Sequence, residues 1–198
     1  MRIYFIFLLF LASLGSLSGQ SFPSMPSAIQ IGYSGELGFH PGIQIGYEYA
    51  AKSWIKTRKN GVSKQKSLIW QGSFSQIWHP ETRSFSFVEG GAYLRTLKSS
   101  GWTRQLSVRL GGTYIENAGT TYVDQFGSPE GYSYAGRGYA TFGIGYGWGY
   151  DFRMQKDLPF AVILQPQATL LFAYNQSTLP LIRVELGLRY YLNTKQKS

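Results

Sequence analysis

Charged residues recur along the chain within segments that alternate between large apolar residues and small or polar ones. The charged residues that fall on the polar side of this alternation include Glu48, Glu89, Arg109, Glu185 and Arg189. If the segments enclose an interior, carboxylates and guanidinium groups there either pair with one another or relay protons and small ions. Buried charges need partners, because desolvating an unpaired charge is costly. We therefore predict a salt-bridged network of these five residues, with a proton or small-ion path as the alternative.

The chain contains two histidines, His40 and His79, and each precedes a proline. A histidine close to a serine such as Ser34, Ser75 or Ser84 would form a hydrolytic pair. His-Pro is also common in turns, however, and no spacing in the sequence singles out a site. We therefore predict no catalytic residue, no metal site and no cofactor.

A basic stretch surrounds Asn60-Gly61 in the segment KTRKNGVSKQK. Its cations are Lys56, Arg58, Lys59, Lys64 and Lys66. Asn-Gly is the strongest two-residue hairpin signal, so these cations are predicted to lie at the end of a hairpin. Such an end is either solvated or in electrostatic contact with anionic lipid head groups, an anionic polymer or a protein partner. No nucleic-acid-binding fold accompanies the cations, so nucleic acid is not a predicted partner.

The segment TFGIGYGWGYDF carries glycine at every second position, at Gly143, Gly145, Gly147 and Gly149. This GxGxGxG spacing differs from the GxGxxG of a dinucleotide-binding turn. Between the glycines stand Ile, Tyr and Trp, so the pattern predicts a strand with one apolar face and one face without side chains. We expect the glycine row to face the same side as the charged network. Side chains from other strands then fill the space, or a narrow cavity remains there.

Composition and the N-terminus indicate an exported β protein. Only 15% of the 198 residues are charged, against about 25% in ordinary soluble domains. Aromatic residues reach 17%, and there is no cysteine. Arg2 precedes the apolar run IYFIFLLFLASL, which is too short to span a membrane, and small residues follow it. We predict a signal peptide over residues 1–19.

Eight segments after the signal show the period-two alternation of β-strands. They lie near residues 29–33, 43–47, 67–79, 84–97, 102–115, 132–151, 159–175 and 180–193. Together they predict one domain over residues 28–193. An even strand count, alternation throughout and export specify an all-β fold, an eight-stranded antiparallel transmembrane β-barrel with up-and-down connections.

Three details of the barrel can also be predicted. A two-residue turn at Asn60-Gly61 pairs Glu48 with Ser73. A bulge near Phe87 brings Phe85 and Phe87 back into phase with the lipid-facing residues of their strand. A long loop is expected over residues 116–131.

The segments IQIGYEY, WHPE and LPLIRVELGLRYYLN resemble those of small Gram-negative outer-membrane β-barrel proteins of OmpA/OmpX/OmpW-like architecture, and are similar to barrels of the Bacteroidota. The resemblance implies a location in the outer membrane among lipopolysaccharide and phospholipid. We predict a non-enzymatic barrel with a salt-bridge-plugged lumen that acts in membrane integrity or as an accessory subunit, with a protein or cell-wall polymer as a further partner at the basic hairpin. The alternatives are a narrow channel for small or amphipathic solutes and an enzyme that modifies lipid A through a histidine and a serine.

Overall fold

The computed structural model describes most of the chain after the predicted signal peptide. The described residues are 26–36, 40–57, 63–79, 83–117, 120–125, 128–133, 136–174 and 177–192. The predicted signal peptide, Arg58, Lys59 and the Asn60-Gly61 turn lie outside these residues. Among the described residues, no helix is long and apolar enough to cross a membrane.

Ten strands and one short helix make up the described chain. In chain order they are β1 Ala28–Glu36, β2 Gly42–Thr57, β3 Ser63–His79, β4 Arg83–Lys98, β5 Trp102–Asn117, β6 Thr120–Gln125, β7 Ser128–Ser133, β8 Gly136–Asp151, α1 Arg153–Lys156, β9 Phe160–Tyr174 and β10 Ser177–Tyr191. The stretch predicted as a long loop contains the hairpin β6–β7, in which Thr120 pairs with Ser133. The other eight strands form the barrel.

The barrel closes because the last strand pairs with the first. The strands follow one another around the ring in the order β1, β10, β9, β8, β5, β4, β3 and β2, each antiparallel to its neighbours. Gly32 pairs with Gly187 in the closing seam. Closure leaves no open sheet edge, which is what a β structure needs in order to span a membrane. The predicted fold class is confirmed.

Side chains alternate between an exposed apolar outer face and a buried lumen. Along β10, Ile182, Leu186 and Leu188 are each at least half exposed, whereas Arg183 and Arg189 are fully buried. An apolar exterior around a polar interior is the pattern of a membrane-spanning barrel and the reverse of a soluble one. We call the end at Ala28 and Tyr191 the lower end, and the end at Glu36 and His79 the upper end.

The predicted register between β2 and β3 is wrong by two residues. Glu48 pairs with Gln71 and not with Ser73, because Thr57 pairs with Ser63 and residues 58–62 connect the arms. A bulge at Ala50–Lys52 adds a further one-residue shift. A shift by two residues keeps every side chain on its face of the sheet. The division into lipid-facing and lumen-facing residues is therefore unaffected.

The bulge predicted near Phe87 is also wrong. The pairs of β4 with β3 and β5 run without a shift from Arg83 to Leu97. Phe85 and Phe87 therefore face the lumen, where they are almost fully buried. The apolar cap to which they belong lies at the upper end of the lumen and consists of Ile77, Phe85, Phe87, Ile115, Leu171 and Leu181.

The glycine row of β8 faces the lumen and receives side chains from the two neighbouring strands. Gln165 of β9 and Ser107 of β5 lie against Gly145, each 2.7 Å from the point that a Cβ would occupy. Gln167 lies against Gly143 in the same way. At Gly149 a Cβ would collide with the backbone carbonyl of Val162. Polar side chains, rather than an open cavity, fill the space beside β8.

Substituting Gly149→Ala should destabilise the barrel by about 1–3 kcal/mol, because a backbone carbonyl cannot move away from the added methyl group as a flexible side chain can. The measurement is urea unfolding of the protein refolded in detergent micelles, followed by tryptophan fluorescence. Gly72→Ala on β3 is the matched control, since a Cβ there meets nothing within 4 Å. Equal stability of the two variants would contradict the packing described for β8.

Candidate functional site

The polar residues of the lumen fill the interior of the barrel below the apolar cap. An eight-stranded barrel is only wide enough for its own side chains to fill it. Four buried arginines face three buried glutamates: Arg95, Arg109, Arg183, Arg189, Glu48, Glu89 and Glu185. They divide into two clusters at different depths.

The lower charge cluster consists of Glu48, Arg95 and Arg189. Arg95 Nη2 donates to Glu48 Oε2 at 2.7 Å, and Arg189 Nε donates to Glu48 Oε1 at 2.7 Å. The two carboxylate oxygens thus serve two different guanidinium groups. Arg95 Nη2 also donates to the Tyr93 hydroxyl at 2.8 Å. One carboxylate is therefore shared between β4 and β10, which lie on either side of β2.

The upper charge cluster consists of Glu89, Arg109, Arg183 and Glu185. Arg109 binds Glu185 through two parallel hydrogen bonds, Nη1 to Oε1 at 2.6 Å and Nη2 to Oε2 at 2.8 Å. This bidentate geometry is the strong form of an arginine–carboxylate pair. Arg183 Nη2 donates to Glu89 Oε2 at 2.5 Å, and Arg109 Nη1 lies 3.8 Å from the same oxygen. The side-chain amide of Gln44 lies 3.2 and 3.3 Å from the two oxygens of Glu185, and we assign its nitrogen to that side because its oxygen would otherwise face only acceptors.

Aromatic rings and amides contact the guanidinium groups on the sides that carboxylates leave open. Arg183 lies over the Phe87 ring, with Cζ 4.3 Å from the ring centre, and Arg95 lies 5.2 Å from the centre of Tyr93. Such stacking is favourable for a desolvated cation. Arg189 Nη2 also donates to Gln105 Oε1 at 3.3 Å. These contacts let the lumen hold one more arginine than glutamate.

The lower mouth is closed by the turn between β8 and β9. Arg153 of α1 pairs with Asp151, Nη2 to Oδ2 at 2.7 Å, and its guanidinium lies 3.4 Å from the centre of the Tyr191 ring. The Tyr191 hydroxyl donates to the same Asp151 oxygen at 2.9 Å. All three residues are buried. This contact lies at the lower end of the lumen, as the apolar cap lies at the upper end.

The five residues predicted as one network fall into both clusters. Glu89, Arg109 and Glu185 meet in the upper charge cluster, and Glu48 and Arg189 meet in the lower one. The partners that sequence reasoning left out of the network are Arg95 and Arg183, although strand parity already placed both of them on the inner face. The alternation pattern does not predict the contact between Asp151 and Arg153, because this contact depends on the short helix after β8.

The predicted basic hairpin places its described cations on the outer wall at the lower end. Lys56, Lys64 and Lys66 line an open cavity of about 340 Å³ together with Leu94, Thr96, Lys98, Arg104, Gln105, Leu106 and Tyr146. Arg58 and Lys59 lie outside the described residues. The cavity thus gains two cations, Lys98 and Arg104, that the hairpin signal did not include.

The two histidines meet at the upper mouth. Their rings stack with centres 3.6 Å apart, and His79 Nε2 lies 2.8 Å from Glu36 Oε2. The serines considered as hydrolytic partners serve other positions. Ser34 is fully buried within the wall, and Ser75 accepts from Arg183 in the lumen at 3.5 Å. The histidines, Ser34 and Ser75 therefore face the barrel interior, whereas Ser84 lies opposite the outward-facing Trp78.

A closed ring of eight antiparallel strands, an apolar outer wall and a filled polar lumen define the class of small outer-membrane β-barrels. Among solved structures, the chain is similar to the attachment invasion locus protein Ail of Yersinia pestis, with a TM-score of 0.50 and 15% identity over 85% of this chain and 100% of that one. Neisserial surface protein A matches with a TM-score of 0.45 and 11% identity over 84% of this chain and 94% of that one. No protein-family model and no curated protein matches the chain. The predicted resemblance to small outer-membrane barrels is confirmed at the level of the fold.

Replacing Arg109 with Ala should lower the free energy of unfolding by about 3–5 kcal/mol, because two carboxylates would then remain buried beside each other without their shared cation. Urea unfolding in detergent micelles measures the change. The double variant R109A/E185A should lose less than the sum of the two single variants. Additive losses would show that the bidentate pair is not an energetic unit.

Proposed function

We propose that the protein is a closed, non-conducting barrel of the outer membrane with a structural role, either in membrane integrity or as an accessory subunit of a larger complex. One observation carries the proposal. Arg183 on β10 pairs with Glu89 on β4, and these two strands lie diametrically opposite each other in the ring. The pair therefore spans the full width of the lumen.

A solute would have to break several buried contacts in order to pass. The ion pairs of both charge clusters are desolvated, so separating them exposes charge in a confined space. The apolar cap and the Asp151–Arg153–Tyr191 contact add a second and a third barrier at the two ends. This arrangement favours a structural barrel over a narrow channel.

The purified protein should give no steady current in planar bilayers in molar potassium chloride. The reason is that the lumen is filled along its length and an ion would have to displace paired charges. An open porin, inserted under the same conditions, is the positive control for the bilayer. The different electrophoretic mobility of unheated and heated samples in a denaturing gel shows that the barrel is folded before the measurement. Reproducible conductance steps from native protein would contradict the closed barrel and support the channel.

The basic cavity on the outer wall supports a second proposal, a binding site for an anionic phospholipid head group. Lys56, Lys64 and Lys98 are directly opposite one another on three adjacent strands, and Lys66 and Arg104 both flank Thr96 in the next row. Like charges directly opposite each other destabilise a sheet. No acidic residue is among the described residues that line the cavity. An anion in the cavity would offset the repulsion.

The position of the cavity favours a lipid over a cell-wall polymer or a protein partner. Its floor includes Leu94, Leu106 and Tyr146, which belong to the outward apolar face that contacts acyl chains. The three connections at the lower end have three, five and eight residues, whereas the 18-residue insertion with β6 and β7 lies at the upper end. Short turns in outer-membrane barrels face the periplasm, so the lipid is a phospholipid of the inner leaflet rather than lipopolysaccharide.

The variant K66Q/R104Q should lose about thirtyfold of its preference for phosphatidylglycerol over phosphatidylcholine, given about 1 kcal/mol per cation at a membrane surface. Native mass spectrometry of protein released from nanodiscs of mixed composition measures the retained lipid. The charge-matched control is K52Q/K156Q, which removes two exposed lysines at the lower end that do not line the cavity. An equal loss of lipid preference in both variants would show that the total positive charge at the lower end attracts the lipid, and it would contradict a specific site in the cavity.

A further inference from the structure

Three residues with metal-binding side chains converge at the upper mouth of the barrel. Glu36 ends β1, His40 follows in the connection to β2, and His79 ends β3. Each offers one ligand atom, and these atoms all lie within 4.8 Å of one another. We call this group the upper-mouth cluster.

The facing atoms of the cluster are buried and make no hydrogen bonds. This holds for Glu36 Oε2, His40 Nδ1 and His79 Nε2. Glu36 Oε2 and His79 Nε2 lie 2.8 Å apart, which is an ion-pair distance, whereas His40 Nδ1 has no partner of this kind. Buried polar atoms without partners are rare and costly in folded proteins. A further group placed between the three side chains would satisfy His40 Nδ1 and contact the other two atoms as well.

Packing and backbone contacts hold the three residues in place. Glu36 and His40 exchange two backbone hydrogen bonds of 3.3 Å, and Trp78 N donates to Pro41 O at 2.9 Å. His79 lies between the ring of His40 and the ring of Phe85, whose centre is 5.0 Å away. The cluster therefore joins the start of β2 to the end of β3 above the apolar cap.

One cation lies close to the cluster. Arg83 is the β4 residue opposite His79 on β3, and its guanidinium lies 5.1 Å from the centre of the Phe85 ring, with which it makes a cation–π contact. The upper-mouth cluster itself carries one carboxylate and two imidazoles, which suits a divalent cation.

We propose that Glu36, His40 and His79 bind a divalent first-row transition-metal ion. Two imidazoles and a carboxylate are ligands that Zn²⁺ and its neighbours accept, whereas Ca²⁺ and Mg²⁺ prefer oxygen ligands alone. Tetrahedral ligands about 2.1 Å from zinc are about 3.4 Å apart. The most distant pair of ligand atoms, at most 4.8 Å apart, would therefore close by up to roughly 1.4 Å, and Glu36 Oε2 and His79 Nε2, now 2.8 Å apart, would separate by roughly 0.6 Å. Three protein ligands leave one position for water. The ion would tie β1, the start of β2 and β3 together at the mouth.

The proposal departs from the sequence-based expectation of no metal site. No signature in the sequence singles out a site at the two histidines, and the barrel brings the three residues together because β1, β2 and β3 are adjacent in the ring. The metal site stands apart from the closed-lumen proposal, since the cluster lies above the apolar cap. Failure of one proposal would leave the other intact.

Titration with Zn²⁺ alone tests the site, using detergent-solubilised full-length barrel purified without a histidine tag. We expect one ion per chain by calorimetry, and weakening by about tenfold or more in H40Q and in H79Q. E36Q should also weaken binding, and Zn²⁺ should raise the unfolding midpoint of the unsubstituted protein more than that of any of the three variants. The matched control is E116Q, which removes a carboxylate at the upper end of β5 outside the cluster and should bind as the unsubstituted protein does.

Two results would overturn the proposal. One is the absence of saturable Zn²⁺ binding to a sample whose altered electrophoretic mobility without heating shows that the barrel is folded. The other is binding that H40Q and E36Q leave unchanged, which would place the ion elsewhere. His40 and Glu36 are only partly buried, so these two variants fold even if H79Q does not, and the outcome remains decisive.

Discussion

The pairing of charges across the lumen is the constraint on which the rest of this barrel depends. Glu89 and Arg183 join opposite walls, and neither group can be desolvated without the other. The same requirement brings Arg109 to Glu185 and shares Glu48 between two arginines. Each strand that contributes a charge must therefore keep the register that delivers it. The charged side chains therefore fill the lumen and also favour one register between the strands.

The remaining lumen residues complete what the charges leave open. A row of glycines on β8 gives room to the glutamines of β9 and to Ser107, so polar side chains pack where a larger residue would collide. Phe87, a member of the apolar cap, lies against the guanidinium of Arg183, and the cap as a whole separates the charges from the upper mouth. The lumen thus changes from ion pairs to hydrocarbon along its axis. This gradient supports the proposal of a closed interior.

The two ends of the barrel have opposite chemistry. At the lower end, cations from β2 to β5 gather on the outer wall beside lipid-facing leucines, and we have proposed an anionic head group as their ligand. At the upper end, a carboxylate and two imidazoles gather inside the mouth, and we have proposed a divalent cation as their ligand. In both places the strand ladder brings together residues that are distant in the chain.

The barrel could be predicted from the amino-acid sequence, because period-two alternation is a local property that most of its strands display. The same alternation predicts which side of the wall is occupied by Glu48, Glu89, Arg109, Glu185, Arg189 and the glycine row. The pairing of particular arginines with particular glutamates could not be predicted, since a pair such as Arg183 and Glu89 depends on closure of the ring and on the stagger of its strands. The register of β2 with β3 and the inward direction of Phe85 and Phe87 were mispredicted for a related reason. Turn length and bulges change pairing by whole residues while local alternation stays the same, and an apolar residue looks alike in sequence whether it faces lipid or caps a lumen. The upper-mouth cluster arises from the same closure, which places residues distant in the chain on adjacent strands.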